Sequence, residues 1–156
     1  MNTTAMYAGS FDPFTRGHAD IVERGLLLFD RVIIAIGINE SKRNLFSPDE
    51  RLLQISRFYK EEPRVEVYTY NGLTVSFAQE MGVRFLLRGV RSSTDMEYER
   101  TLADLNRHIA DMETILLPAS QLFTHISSTV VRELLHFGGD VTGFLPQGFS
   151  LSTTEN

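Results

Sequence analysis

The chain alternates short apolar runs with stretches of helical spacing. Residues 3–8 are a mostly apolar run broken by Gly9-Ser10, and they read as a strand. From about Gly17 the apolar positions Ala19, Val22, Leu26 and Phe29 recur three, four and three residues apart, as on one face of a helix. Residues 31–38 are β-branched and apolar without alternation, which predicts a strand buried on both faces, as in a parallel sheet. Ser47-Pro48-Asp49-Glu50 combines a capping hydroxyl, a proline at the first helical position and a capping-box glutamate. The helix it starts is predicted to turn Leu52, Ile55 and Tyr59 to the core. Next come a strand over 65–70, a short helix over 73–81 stopped at Gly82, and a strand over 83–87. A long helix carries Tyr98, Leu102, Leu105 and Ile109 at helical spacing. A fifth strand over 114–117 stops at Pro118, and a helix over 127–137 runs from a Ser-Ser-Thr start to a Gly138-Gly139 stop. Beyond Phe149 the chain turns polar, and its end is expected to fray. Strand and helix alternating in this way predict one domain over 1–156, an α/β fold with a doubly wound, mostly parallel five-stranded sheet. In such a sheet ligands bind beyond the carboxyl ends of the strands, so the residues that carry chemistry are expected just after strands.

Composition narrows the chemistry. With 156 residues, 42% hydrophobic and 22% charged, the chain can bury a core and is not a disordered tail protein. A net charge of -5 argues against nucleic acid as a partner but leaves small anionic ligands open. Cysteine is absent, which excludes a disulfide framework, a thiol nucleophile and cysteine-ligated metal, and fits a cytoplasmic location. The opening residues lack the basic and apolar regions of a secretory leader, and no apolar run reaches the roughly 18 residues of a membrane span, so no membrane partner is expected. Among the 15 basic residues Lys42 and Lys60 stand against 13 arginines, whose planar forks suit phosphate. The four histidines show no H-x-x-x-H spacing, so no dedicated histidine metal site is expected.

The polar motifs fall where the fold expects them. After the first strand, Gly9-Ser10-Phe11-Asp12-Pro13-Phe14-Thr15-Arg16-Gly17-His18 lacks the glycine spacing of a dinucleotide turn. It offers instead a hydroxyl and a helix N-terminus, whose free N–H groups suit phosphate, with His18 in the first turn as a further donor. Lys42 follows the second strand, and Arg88-Gly89-Val90-Arg91 follows the fourth, with a glycine that lets backbone approach a ligand. Asp95, Glu97 and Glu99 open the long helix, where its dipole accounts for most of them. Glu99 is retained as a ligand candidate. Ser127-Ser128-Thr129 places three hydroxyls where one would cap, which suggests a second anion cradle.

On these strings the chain resembles the bacterial phosphopantetheine adenylyltransferases, a branch of the nucleotidylyltransferase superfamily with a Rossmann-like fold. The resemblance runs from about residue 3 to Phe149. It rests on Gly9-Ser10-Phe11-Asp12-Pro13, Thr15-Arg16-Gly17-His18, Ser41-Lys42, Arg88-Gly89-Val90-Arg91, Glu97-Tyr98-Glu99, Asn106-Arg107-His108 and Ile126-Ser127-Ser128-Thr129. It implies adenylyl transfer from ATP to 4'-phosphopantetheine, giving dephospho-coenzyme A and pyrophosphate, the penultimate step of coenzyme A biosynthesis. It implies that His18, Ser10, Lys42 and Arg88 serve the reacting phosphates, and that Ser10, Lys42, Thr74 and Arg88 hold phosphopantetheine. It implies an ATP site of Ser10, Phe11, His18, Gly89, Val90, Arg91, Glu99, Phe123, Thr124, His125, Ile126, Ser127, Ser128 and Thr129. It also implies Mg2+ arriving with ATP rather than on a protein metal site, and a homohexamer built as a dimer of trimers. The chain departs from the family pattern at Ser10, where threonine is usual, at Ala8, where proline is usual, and at Arg16, where asparagine is common.

Overall fold

The buried run 5–8 forms the middle strand of a fully parallel five-stranded sheet in the computed structural model, which describes residues 2–154. Five strands alternate with five helices: β1 (Thr4–Gly9), α1 (Arg16–Leu28), β2 (Arg31–Gly37), α2 (Pro48–Phe58), β3 (Val65–Tyr70), α3 (Thr74–Glu80), β4 (Phe85–Val90), α4 (Ser93–Ala110), β5 (Glu113–Pro118) and α5 (Ser128–His136). The spatial order is β3-β2-β1-β4-β5, so the strand order reverses beside β1. Successive side chains point to opposite faces, and both faces are covered. Ala5, Tyr7, Ile34, Ile36 and Leu87 pack with Val22 of α1 and Ile55 of α2, whereas Met6, Ala8, Ile33, Ala35 and Leu86 pack with Val75 and Ala78 of α3. The full-length apolar run of β2 is what double coverage demands.

The crevice at the reversal has a visible cause. β1 and β2 stay in register from Thr4↔Arg31 to Gly9↔Ile36, but β1 and β4 pair only at Ala5↔Phe85 and Met6↔Leu86. Beyond those residues the two strands part toward their carboxyl ends. The Ala8 carbonyl, left without a strand partner on that side, accepts from Arg88 Nη1 at 2.6 Å.

The predicted elements stand with four changes. β4 begins two residues later than expected and runs on through Arg88, Gly89 and Val90, because these residues pair with Leu116, Leu117 and Pro118 of β5. Arg88 and Gly89 are therefore strand residues, not loop residues. Gly89 also lies close against α1: a Cβ there would lie 3.1 Å from the Ile21 side chain. The apolar stripe of α4 has the expected spacing, yet Tyr98, Leu105 and Ile109 are 64%, 50% and 52% exposed. The segment after Phe149 is tethered as far as Thr153. Gln54 Nε2 donates to the Leu151 carbonyl, Arg57 Nη1 to the Ser152 carbonyl, and Thr153 Oγ1 to Glu50. Phe149 itself packs on Phe14 and Phe58.

Candidate active site

A cleft of about 360 Å³ opens above the parted ends of β1 and β4. Ser10, Phe11, His18, Lys42, Arg88, Gly89, Arg91, Glu99, Phe123, Ile126, Ser127, Ser128 and Thr129 all line it. A second cavity of about 210 Å³ lies beside it, lined by Thr74, Leu102, Ala103, Asn106 and Thr114, and Ala8, Arg88 and Glu99 line both. Arg88 thus stands at the junction of two lobes.

Helix α1 fixes His18 by a capping box. Thr15 caps the helix, and the Thr15 backbone N–H donates to His18 Nδ1 at 3.0 Å. A backbone N–H can only donate, so Nδ1 carries no proton, and the neutral ring keeps its proton on Nε2. Burial, with the positive charges of Arg91 and Arg88, lowers the His18 pKa from the ordinary 6.5 to about 3. His18 is therefore a neutral Nε2–H donor at pH 7. The ring is half-buried against Phe11 and Phe14, with centroids 5.0 and 5.4 Å away.

This arrangement has a pH consequence. The unfolded chain takes up a proton at His18 near 6.5, and the folded chain does not until about 3. Between those values the unfolded state binds more protons, so stability falls as pH falls through that window. His18→Gln removes this contribution. Chemical denaturation from pH 7 to 4 is expected to show a shallower loss of stability in the variant than in the parent. Imidazole ¹⁵N shifts of the parent are expected to report the Nε2–H tautomer at pH 7, and an Nδ1–H pattern would refute the assignment.

Arg88 is held rigidly. Its Nε and Nη2 donate to the two oxygens of Glu99 at 3.0 and 2.8 Å, and Nη1 to Ala8. Burial is the largest single influence and works against its charge, but the Glu99 hydrogen bonds and negative charge, with smaller contributions from Tyr7 and Tyr70, together outweigh burial and raise its pKa. Three of the guanidinium's five N–H donors are used in this way. Two remain, one on each terminal nitrogen, a fork suited to a phosphate. Glu99, expected as an ATP ligand, has both oxygens on Arg88, so its visible task is to orient that fork.

The three hydroxyls that open α5 have separate tasks. Ser127 caps the helix through the Val130 N–H, Ser128 Oγ donates to the Pro13 carbonyl at 2.7 Å, and Thr129 Oγ1 accepts from Arg132 Nη2. Capping therefore accounts for one of them. Ser10, Lys42 and Arg91 are exposed on the cleft wall, and Arg91 Nε lies 3.6 Å from Asp95. Thr74 lies in the second cavity and shares a hydrogen bond with Tyr70. Val90, Thr124 and His125 are not brought to the cleft. Val90 is buried, Thr124 Oγ1 donates to the Gln121 carbonyl, and His125 packs on Phe144.

Sequence reasoning missed Tyr7 and Arg132 and left Asp95 to the helix dipole, and all three also line the cleft. Arg132 had a signal: it follows Thr129 by three residues and so shares its helix face. Among the described residues, no group of three or more His, Asp or Glu side chains is placed to hold a metal ion, and no helix is long and apolar enough to cross a membrane.

The chain is similar to known proteins in sequence and in fold. The cytidylyltransferase-like family profile matches residues 6–134. A phosphopantetheine adenylyltransferase of Porphyromonas gingivalis is 59% identical over 147 residues, covering 94% of this chain and 96% of that protein. Proteins of the same name from Phocaeicola vulgatus and Leuconostoc citreum are 48% and 47% identical, over 94% and 92% of this chain and 97% and 91% of their own lengths. In fold, the chain is similar to the crystal structure of a putative nicotinate-nucleotide adenylyltransferase from Vibrio parahaemolyticus. The TM-score is 0.66 at 18% identity, over 94% of this chain and 96% of that one. The chain belongs to the cytidylyltransferase-like family and, within it, to the phosphopantetheine adenylyltransferases.

Proposed function

We propose that the protein transfers the adenylyl group of ATP to the phosphate of 4'-phosphopantetheine, releasing pyrophosphate and dephospho-coenzyme A. The observation that carries this reading is Arg88 at the junction of two lobes, with a free two-donor fork where an acceptor phosphate would meet a nucleotide. The larger lobe, with His18, Arg91 and the start of α5, takes ATP. The smaller lobe, with Thr74, Leu102 and Asn106, takes the pantetheine arm.

No nucleophile needs activation, because the acceptor is already an ionised phosphate. Its oxygen attacks the α-phosphorus of ATP in line, the bond to the β-bridging oxygen breaks, and pyrophosphate leaves with that electron pair. Catalysis is then alignment and stabilisation of spread negative charge. Arg88 and Lys42 offset repulsion between the two anions, the Ser10 hydroxyl donates to a phosphate oxygen, and His18 Nε2–H donates to the charge that builds in the transition state. Mg2+ supplies charge neutralisation on the triphosphate.

The exposed stripe of Tyr98, Leu105 and Ile109 supports self-association, for which we propose the dimer of trimers. The small anionic substrates and the chain's lack of cysteine fit a cytoplasmic enzyme. Incubation with ATP, Mg2+ and phosphopantetheine is expected to yield dephospho-coenzyme A by mass detection. Equally fast pyrophosphate release with nicotinamide mononucleotide as acceptor would overturn the assignment.

A further inference from the structure

Two buried charged residues below the cleft are not used by the chemistry described so far. Asp12 is 2% exposed and Arg51 is 0% exposed. The Asp12 carboxylate accepts from the backbone N–H groups of Leu45 and Phe46, each at 2.8 Å. Arg51 donates to the Ser10 carbonyl at 2.6 Å, the Phe46 carbonyl at 3.1 Å, and the Gly37 and Ser47 carbonyls at 3.4 Å. The two side chains therefore tie together the end of β1, the end of β2 and the far end of the segment between β2 and α2.

That segment carries Lys42. Ser41, Lys42 and Arg43 are exposed, and the hydrogen bonds around them are local: Lys42 N to the Asn39 carbonyl, Ser41 to Asn39, and Asn44 to Lys42. Its hold on the loop that bears Ser10 is at Leu45 and Phe46, through Asp12 and Arg51. Buried charges cost several kcal/mol of desolvation, and a well-packed apolar pair often stabilises a fold as well or better. Stability alone is a weak reason for placing two of them here. We propose that Asp12 and Arg51 are positioning residues that set Lys42 over Ser10, so that the lysine and the hydroxyl meet the same acceptor phosphate. Arg132 and Ser128 hold the same loop from α5 through the Asp12 and Pro13 carbonyls, which leaves the Lys42 side dependent on Asp12 and Arg51.

The proposal rests on the role of Lys42 in the reaction, and a double-mutant cycle separates the two. Asp12→Asn keeps the shape and removes one acceptor oxygen and the charge. In the parent it is expected to lower kcat/KM for phosphopantetheine about tenfold while the Kd for ATP is unchanged. In a Lys42→Ala background the same change is expected to cost less than about twofold, because the group it positions is gone. Equal losses in both backgrounds would mean that Asp12 acts on the fold in general, and would overturn the proposal. Parental activity of Lys42→Ala would remove the role of Lys42 and the proposal with it. Should Asp12→Asn not fold, Leu45→Pro removes one of the two N–H donors from the exposed side of the contact, and the same cycle applies.

Discussion

Replacing His18 by alanine is expected to lower turnover by about 10²–10³, equivalent to about 3–4 kcal/mol of transition-state stabilisation, while ATP binds nearly as well. The ring is a neutral donor whose tautomer is set by the Thr15 N–H, so its use is greatest where negative charge develops. The sequence suggests a ring aimed away from the core, whose loss would cost little stability. The structure alters that expectation. The ring closes the capping box of α1 and rests on Phe11 and Phe14, so His18→Ala also loses about 1 kcal/mol of stability. His18→Asn and His18→Gln retain a neutral donor and are expected to recover part of the rate. Pyrophosphate release, calorimetry with ATP and thermal unfolding together check the three parts. A folded His18→Ala enzyme within about threefold of the parent in turnover contradicts the assigned role.

Arg88→Ala is expected to lose both activity and stability. Removing the fork at the junction of the lobes lowers turnover by about 10²–10³. It also leaves Glu99 buried without its bidentate partner. Breaking a buried pair costs about 3–5 kcal/mol, and because the Arg88 side chain is 35% exposed, about 2–3 kcal/mol is expected here. The two losses separate in a double variant. Arg88→Met with Glu99→Leu removes the orphaned carboxylate, and is expected to regain most of the stability and none of the turnover. Denaturation midpoints and product formation measured on the same preparations decide it. Recovered activity in the double variant would show that Arg88 serves only to neutralise Glu99.

The alternation of strands and helices is legible in the chain because a doubly covered parallel strand leaves an unbroken apolar run, as in β2, and because capping signals such as Ser47-Pro48-Asp49-Glu50 are local. His18 and Ser127 are legible for the same reason, each lying at a helix start. What depends on pairing across the sheet is not. Arg88 and Gly89 look like loop residues, and only the β5 ladder makes them strand. The bond from Arg88 to Glu99 joins two elements, and no local pattern encodes it. Asp12 stands before a proline in the first loop and Arg51 next to the apolar Leu52, and neither position announces a buried charge. Their burial follows from where the β2–α2 segment comes to rest, which composition and periodicity do not specify. The exposed stripe on α4 has the periodicity of a core face, and spacing alone does not tell an intramolecular partner from a second chain.

The strap that follows α5 bears on the order in which the molecule assembles. Arg16, at the start of α1, donates through Nε to the Leu145 carbonyl, a contact across 129 residues of sequence, and Phe149 covers Phe14, which backs the ring of His18. The sheet itself closes most of that separation, and only the short span from the end of α5 to Leu145 is left to settle against Arg16. The sheet can therefore be complete while the first loop still lacks its final support. In a chain made amino end first, every side chain that lines the cleft would therefore precede the segment that braces its first loop.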